Sequence, residues 1–89
     1  MASDTEVEEW CRQLRSFHVT DKLEDSWMEI ERDLNKLERE KQRLVDHPDR
    51  WTIVIMESIL FAQHLLRQEL YEVFYRMAQR DAIETFSLN

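Results

Sequence analysis

The chain has 89 residues with no glycine and a single proline, so it lacks the residues from which tight β-hairpin turns are usually built. Its formal net charge is -7 and its Lys and Arg residues are interleaved with acids, which argues against the basic surface of a nucleic-acid-binding protein. A hydrophobic fraction of 43% is too high for a disordered tail. We therefore expect an all-α fold, with residues 1–89 forming a single helical domain. A domain of this size builds only a small core, and oligomerisation often supplies the rest.

The N-terminal residues and the cysteine usage predict an intracellular, cytoplasmic protein. The first ten residues, MASDTEVEEW, lack the basic and then apolar pattern of a signal peptide. Cys11 has no second cysteine in the chain with which to form a disulfide.

Helix 1 is predicted over residues 4–17. At its start, Ser3 with Glu6 or Thr5 with Glu8 can form a capping box. Apolar side chains then recur every three or four residues and share one face that we expect to be buried: Val7, Trp10, Cys11, Leu14 and Phe17.

Helix 2 is predicted over residues 21–46, with Thr20 as its N-cap. Lys41 interrupts an otherwise apolar heptad pattern, which favours coiled-coil-like packing. The lysine either extends along the apolar surface to reach water or forms a salt bridge that selects a partner or a register. The apolar heptad positions are Leu23, Trp27, Ile30, Leu34, Leu37 and Leu44.

Helix 3 is predicted over residues 48–83, because Pro48 suits the first turn of a new helix, and a short C-terminal tail follows over residues 84–89. Helices 2 and 3 should form a long antiparallel hairpin in which helix 3 is roughly 15 Å longer. The overhang lies near the start of helix 2, where helix 1 is also expected, so helix 1 could pack on it.

Helix 3 is apolar on almost every side over residues 51–66, where eleven of sixteen residues are apolar. A membrane span needs about 20 residues and tolerates Glu57 poorly, so we expect no contact with a membrane. A helix that is apolar all round is surrounded by other helices, and helices 1 and 2 cover only part of it. A second copy of the chain, giving a dimeric helical bundle, is the simplest way to cover the rest of helix 3. The residues predicted for its dimer or bundle core are Ile55, Ile59, Ala62, Leu66, Leu70, Val73 and Met77.

Two sets of polar residues in the sequence raise the question of catalysis. Glu57, His64, Gln68 and Tyr71 share one side of helix 3, where they would either form a metal or proton-transfer site or hydrogen-bond across a dimer axis. The spacing of known di-metal bundles is absent, which favours the second interpretation.

Cys11 and His18 are a conceivable nucleophile and base, but the sequence offers neither an orienting third group nor an oxyanion hole. We therefore predict no catalytic residue, no metal site and no cofactor.

The sequence thus predicts a non-enzymatic protein-protein interaction module, a small dimeric helical adaptor, regulator or inhibitor of a partner protein. One alternative is a subunit of a hetero-oligomer whose partner chain covers helix 3. Another is a small all-α dimeric enzyme of the chorismate-mutase type, which would need buried arginine or lysine. Trp51 either covers the end of the hairpin or anchors a partner. The candidate partner-binding residues are Lys41, Trp51, Tyr71, Tyr75 and Phe86.

Overall fold

The protein consists of three α-helices, and no strand occurs among residues 3–87, the part of the chain that the computed structural model describes. The helices are α1 (Asp4–Leu14), α2 (Leu23–Asp46) and α3 (Thr52–Ser87). The predicted all-α class with three helices is confirmed. The molecule is elongated, with extents of 61 × 21 × 19 Å, because the 36 residues of α3 alone span roughly 54 Å.

α1 begins where the sequence predicts and ends three residues earlier. The Ser3 side chain caps the helix by accepting a hydrogen bond from the backbone N–H of Glu6 at 3.2 Å. After Leu14 the next three backbone N–H groups bond to carbonyls three residues back instead of four. The backbone therefore tightens into a turn, and the α-helix is shorter than predicted.

α2 begins at Leu23, two residues later than predicted, because Thr20 does not cap it. The backbone N–H of Thr20 donates to the hydroxyl of Ser26 at 3.2 Å, and the two hydroxyl groups also lie 3.2 Å apart. Lys22 occupies the N-cap position without a side-chain hydrogen bond to the helix. The helix ends at Asp46, the predicted position.

The connection between α2 and α3 is a turn that delays the start of α3 to Thr52. The carboxylate of Asp49 accepts a hydrogen bond from the N–H of Trp51, and the Thr52 hydroxyl accepts one from the N–H of Asp49, both at 2.7 Å. These side-chain bonds hold residues 49–52 in a turn, so Pro48 does not start the helix. At the other end α3 continues to Ser87 through most of the predicted tail, whose residues 88 and 89 lie outside the described residues.

α2 and α3 form an antiparallel hairpin. Arg80 near the end of α3 donates to Glu24 near the start of α2 at 2.8 Å, and Gln63 donates to Glu38 near the middle at 3.0 Å. The heptad residues of α2 differ in burial, since Leu34 is half-buried and Trp27 lies at the exposed edge. The fully enclosed ones lie seven residues apart and face α3: Leu23, Ile30, Leu37 and Leu44.

α1 packs beside the turn of the hairpin and not on the overhang of α3, so that expectation was wrong. The carboxylate of Asp4 pairs with Arg43 near the end of α2 at 3.2 Å. At the other end of α1, the guanidinium of Arg15 lies 4.8 Å from the ring centre of Phe61 on α3. α1 therefore runs parallel to α3, and the connection over residues 15–22 leads away from the turn to the start of α2.

The hairpin thus has two unlike halves. In the three-helix half, α1 joins the second half of α2 and residues 52–66 of α3, and the amine of Lys36 lies 4.3 Å from the ring centre of Trp10. In the two-helix half, the first half of α2 faces residues 67–80 of α3, and the rings of Trp27 and Phe74 meet edge to face at 5.5 Å. Beyond Arg80, residues 81–86 of α3 are exposed.

Candidate functional site

The most distinctive surface of the protein is the apolar side of α3 that neither α1 nor α2 covers. Covering an apolar side chain releases water and is favourable, so large apolar residues on a free helix face are a candidate binding surface. The exposed large apolar residues of this helix are Ile53, Val54, Leu60, Phe61, Tyr71, Phe74, Tyr75, Ile83 and Phe86.

Six exposed residues of α3 form one continuous line, which we call the outer stripe. At 100° per residue they lie on the side of the helix opposite its buried residues. Ile53 and Tyr71, at its two ends, are 73% and 74% exposed. The stripe consists of Ile53, Glu57, Leu60, His64, Arg67 and Tyr71.

The residues predicted for a dimer or bundle core lie inside the core of the single chain. Five of them are buried and two are half-buried, and they pack with buried residues of α1 and α2. A second chain would therefore have to contact other residues of α3. The buried five are Ile55, Ile59, Ala62, Leu66 and Val73, and the half-buried two are Leu70 and Met77.

The predicted partner-binding residues fall into two groups. Trp51, Tyr71, Tyr75 and Phe86 are exposed, and Trp51 retains 52% of its accessible surface. Lys41 is different, because its amine pairs with Glu38 of the same helix at 2.9 Å and its side chain is only 28% exposed. The Lys41 salt bridge therefore lies within α2.

Trp51 lies beside a hollow between α1 and the start of α3. The guanidinium of Arg50 is 5.1 Å from the centre of its ring, in the geometry of a cation-π contact. The hollow has a volume of about 250 Å³ and is lined by Asp4, Thr5, Glu8, Trp51, Val54 and Ile55. Its rim is acidic on the α1 side and apolar on the α3 side.

The sequence-based selection missed Ile53, Val54, Leu60, Phe61 and Phe74, which are all exposed. The helical repeat of the sequence contains the information that would have identified Ile53 and Leu60. Once the buried side of helix 3 is placed on the line of Ile55 and Ile59, the helical repeat puts residues 53 and 60 on the opposite side.

Glu38 joins α2 to α3 through a small polar network. Its carboxylate accepts hydrogen bonds from the Lys41 amine and from the side-chain amide of the buried Gln63. The bonds from Lys41 and then Gln63 lower the pKa of Glu38 below its usual value. Within residues 3–87 the buried side-chain oxygen of Gln63 has no hydrogen-bond partner, which carries a desolvation cost.

The residues considered for catalysis are not assembled. Cys11 is fully buried, and burial raises the pKa of its thiol to about 11, whereas His18 is exposed in the connection after α1. A hollow with two arginines lies on the solvent face of α2, where Arg32 and Arg39 line it. These arginines are therefore outside the bundle core, where the enzyme alternative would need them.

Glu57, His64, Gln68 and Tyr71 all lie on the exposed side of α3. Within residues 3–87, no group of three or more His, Cys, Asp or Glu side chains is placed to hold a metal ion. Over the same residues, none of the helices combines the length and the apolar character needed to cross a membrane.

Comparisons with known proteins found no match to the chain among protein-family models, curated proteins or solved structures.

Proposed function

We propose that the protein is a non-enzymatic protein-protein interaction module, a small dimeric helical adaptor, regulator or inhibitor that acts on a partner protein through α3. The observation that supports this proposal is the exposure of large apolar residues along one helix. Fully burying such a side chain contributes about 1.5–3 kcal/mol, so covering Ile53, Leu60 and Phe61 would contribute several kcal/mol to an association.

The proposed dimer consists of two hairpins that associate through α3. The two α3 helices would meet through coiled-coil-like packing, and α1 and α2 of each copy would lie on the far side of α3. A four-helix core is not available to this dimer, because the α3 residues that face α2 are already buried within the single chain. α1 and α2 together leave the outer stripe uncovered, so a second hairpin has an open face to contact.

The experiment is size-exclusion chromatography with light scattering at micromolar concentration. We expect the full chain to be a dimer. The Leu60→Glu variant should be a monomer with unchanged helical content, because it places a charge in the contact. Met28→Glu is the matched control, since Met28 is 68% exposed on α2, away from the outer stripe. A stable folded monomer of the unmodified chain would contradict the dimer.

A hetero-oligomer is the second candidate function, and the length of the exposed surface favours it. Ile83 and Phe86 lie on α3 beyond the start of α2, and both are exposed. A longer partner chain would cover them together with the outer stripe. In that case the chain expressed alone should be poorly soluble or should unfold without cooperativity, and co-expression with its partner should restore both properties.

A further inference from the structure

The outer stripe is self-complementary in spacing. Its residues follow one another at intervals of four, three, four, three and four, which is the heptad pattern of a helix-helix contact. The series reads the same in both directions. A second copy of the stripe, laid antiparallel against the first, therefore meets it position for position.

We propose that the occupant of the outer stripe is the outer stripe of a second copy, antiparallel and related by a two-fold axis midway between Leu60 and His64. This inference rests on the dimer of the proposed function and adds its contact face, direction and register. In this register Glu57 of each copy faces Arg67 of the other, so the dimer gains two equivalent pairs of opposite charge.

The apolar residues of the outer stripe also find suitable neighbours in this register. Ile53 of each copy faces Tyr71 of the other, and these are the two most exposed apolar residues of the stripe. Leu60 faces His64 of the other copy on either side of the axis. The Ile53–Tyr71 contacts at the two ends enclose the two charge pairs, over an overlap of roughly 27 Å.

The charges of the stripe disfavour a parallel dimer and antiparallel shifts of one heptad. In a parallel dimer each residue meets its own copy, so Glu57 would face Glu57 and Arg67 would face Arg67. An antiparallel shift of one heptad places Glu57 against Leu60 or against Phe74, depending on its direction. Charged residues at seam positions select register in this way, because the wrong pairings leave a charge desolvated or next to a like charge.

Charge reversal on the full chain tests the inference. Glu57→Arg alone and Arg67→Glu alone each create two like-charge pairs, so we expect each to raise the dimer dissociation constant at least tenfold. An equimolar mixture of the two variants places Arg against Glu at both sites, so it should form a heterodimer with near-original affinity. The double variant Glu57→Arg/Arg67→Glu should also dimerise.

Two matched controls make the same changes in charge away from the stripe. Glu84→Arg alters the exposed last turns of α3, and Arg39→Glu alters the exposed face of α2. Both should leave the dissociation constant unchanged. Glu57→Gln and Arg67→Gln, which remove the pair without adding repulsion, should weaken the dimer by less than the reversals do. They remain informative if a charge-reversal variant loses helical content in circular dichroism.

Each outcome separates the inference from the proposed function. Dimers that tolerate both reversals, or single variants whose mixture does not restore the dimer, would overturn the proposed contact and leave the dimer standing. A monomeric unmodified chain would overturn both the contact and the homodimer. The occupant of the outer stripe would then be a different chain.

Discussion

The two halves of the hairpin use the same helix, α3, in different surroundings. In the three-helix half, Ile55, Ile59, Ala62, Gln63 and Leu66 are all buried, whereas Val73 is the only α3 residue buried among the described residues after position 66. The added helix α1 accounts for this difference, because its residues Val7, Cys11 and Leu14 form part of the same core.

This contrast explains why the run over residues 51–66 is apolar on so many sides. One side of it faces α2 and a second faces α1, so two apolar faces are needed within the chain itself. The outer stripe is a third face that the fold leaves open. The residues after position 66 lack α1, and half-buried side chains such as Leu70 and Met77 replace fully buried ones.

The largest expected effect comes from matched truncations on either side of the boundary between the halves. Leu66→Ala removes a side chain with no exposed surface and leaves a cavity, so it should lower the free energy of unfolding by about 2–5 kcal/mol. Leu70→Ala, one turn later, removes a half-buried side chain and should cost about 1–2 kcal/mol. Urea denaturation at one fixed protein concentration measures both values. Equal losses would show that the two halves are packed alike.

Cys11 provides a second test, because its thiol reports whether α1 stays docked. Burial raises the pKa of this thiol from 9.0 to about 11, so at pH 8 its thiolate fraction should be about 100-fold lower than in the unfolded chain. Alkylation by iodoacetamide should therefore be slow in the folded protein and fast in guanidinium. Rapid alkylation of the folded protein would mean that α1 separates readily from the hairpin.

The raised pKa of Cys11 also makes the stability of the protein depend on pH in a defined direction. The folded state holds the thiol proton more tightly than the unfolded state does, so this contribution is complete below pH 9. It is lost as the pH rises through about 11. The Cys11→Ala variant should lose this part of the alkaline pH dependence and keep the rest.

The smallest effects concern two ion pairs between different helices. The Arg43–Asp4 pair in the three-helix half has side chains 21% and 24% exposed, whereas those of Arg80–Glu24 in the two-helix half are 42% and 59% exposed. Arg43→Gln should cost about 1 kcal/mol of unfolding free energy. Arg80→Gln should cost less, and its effect should disappear in molar salt because exposed pairs are screened. A larger loss from Arg80→Gln than from Arg43→Gln would contradict the expectation that the ion pair in the three-helix half is the more stabilising one.

Acid titration measures the contribution of the Arg80–Glu24 pair independently. The hydrogen bond from Arg80 lowers the pKa of Glu24 below its usual value. The pair therefore contributes above the usual glutamate pKa, and the contribution is lost as the pH falls through the lower folded value. Arg80→Gln should remove this acid-dependent part, which carbon-detected titration of the glutamate side chains would show directly.

Local patterns in the sequence predicted the helices and their buried lines. The predicted apolar faces of helices 1 and 2 contain seven residues that the structure buries, namely Val7, Cys11, Leu14, Leu23, Ile30, Leu37 and Leu44. The other residues of these faces, Trp10, Phe17, Trp27 and Leu34, are buried only in part. The boundaries were less predictable, because they depend on side-chain hydrogen bonds. Asp49 and Thr52 extend the turn after Pro48, and Thr20 bonds to Ser26 instead of capping α2.

The docking of α1 was not predictable from periodicity. A buried face on helix 1 reveals only that the face needs cover, and the connection over residues 15–22 is long enough to reach more than one site. Its position involves contacts between residues far apart in the sequence, such as the pairing of Asp4 with Arg43. The same limit applied to the candidate site. The helical repeat separates two opposite sides of α3, but which of them α1 and α2 cover became evident only once those helices had been placed.

Two tryptophans, one in each half of the molecule, can serve as separate fluorescent reporters because each contacts a neighbouring helix. Trp10 lies against Lys36 in the three-helix half, and Trp27 meets Phe74 in the two-helix half. With Trp51 replaced by phenylalanine, emission from variants that retain only one of these indoles would follow the two ends separately. Denaturation curves that coincide would describe one cooperative unit, and curves that diverge would describe a molecule that opens first at the end without α1.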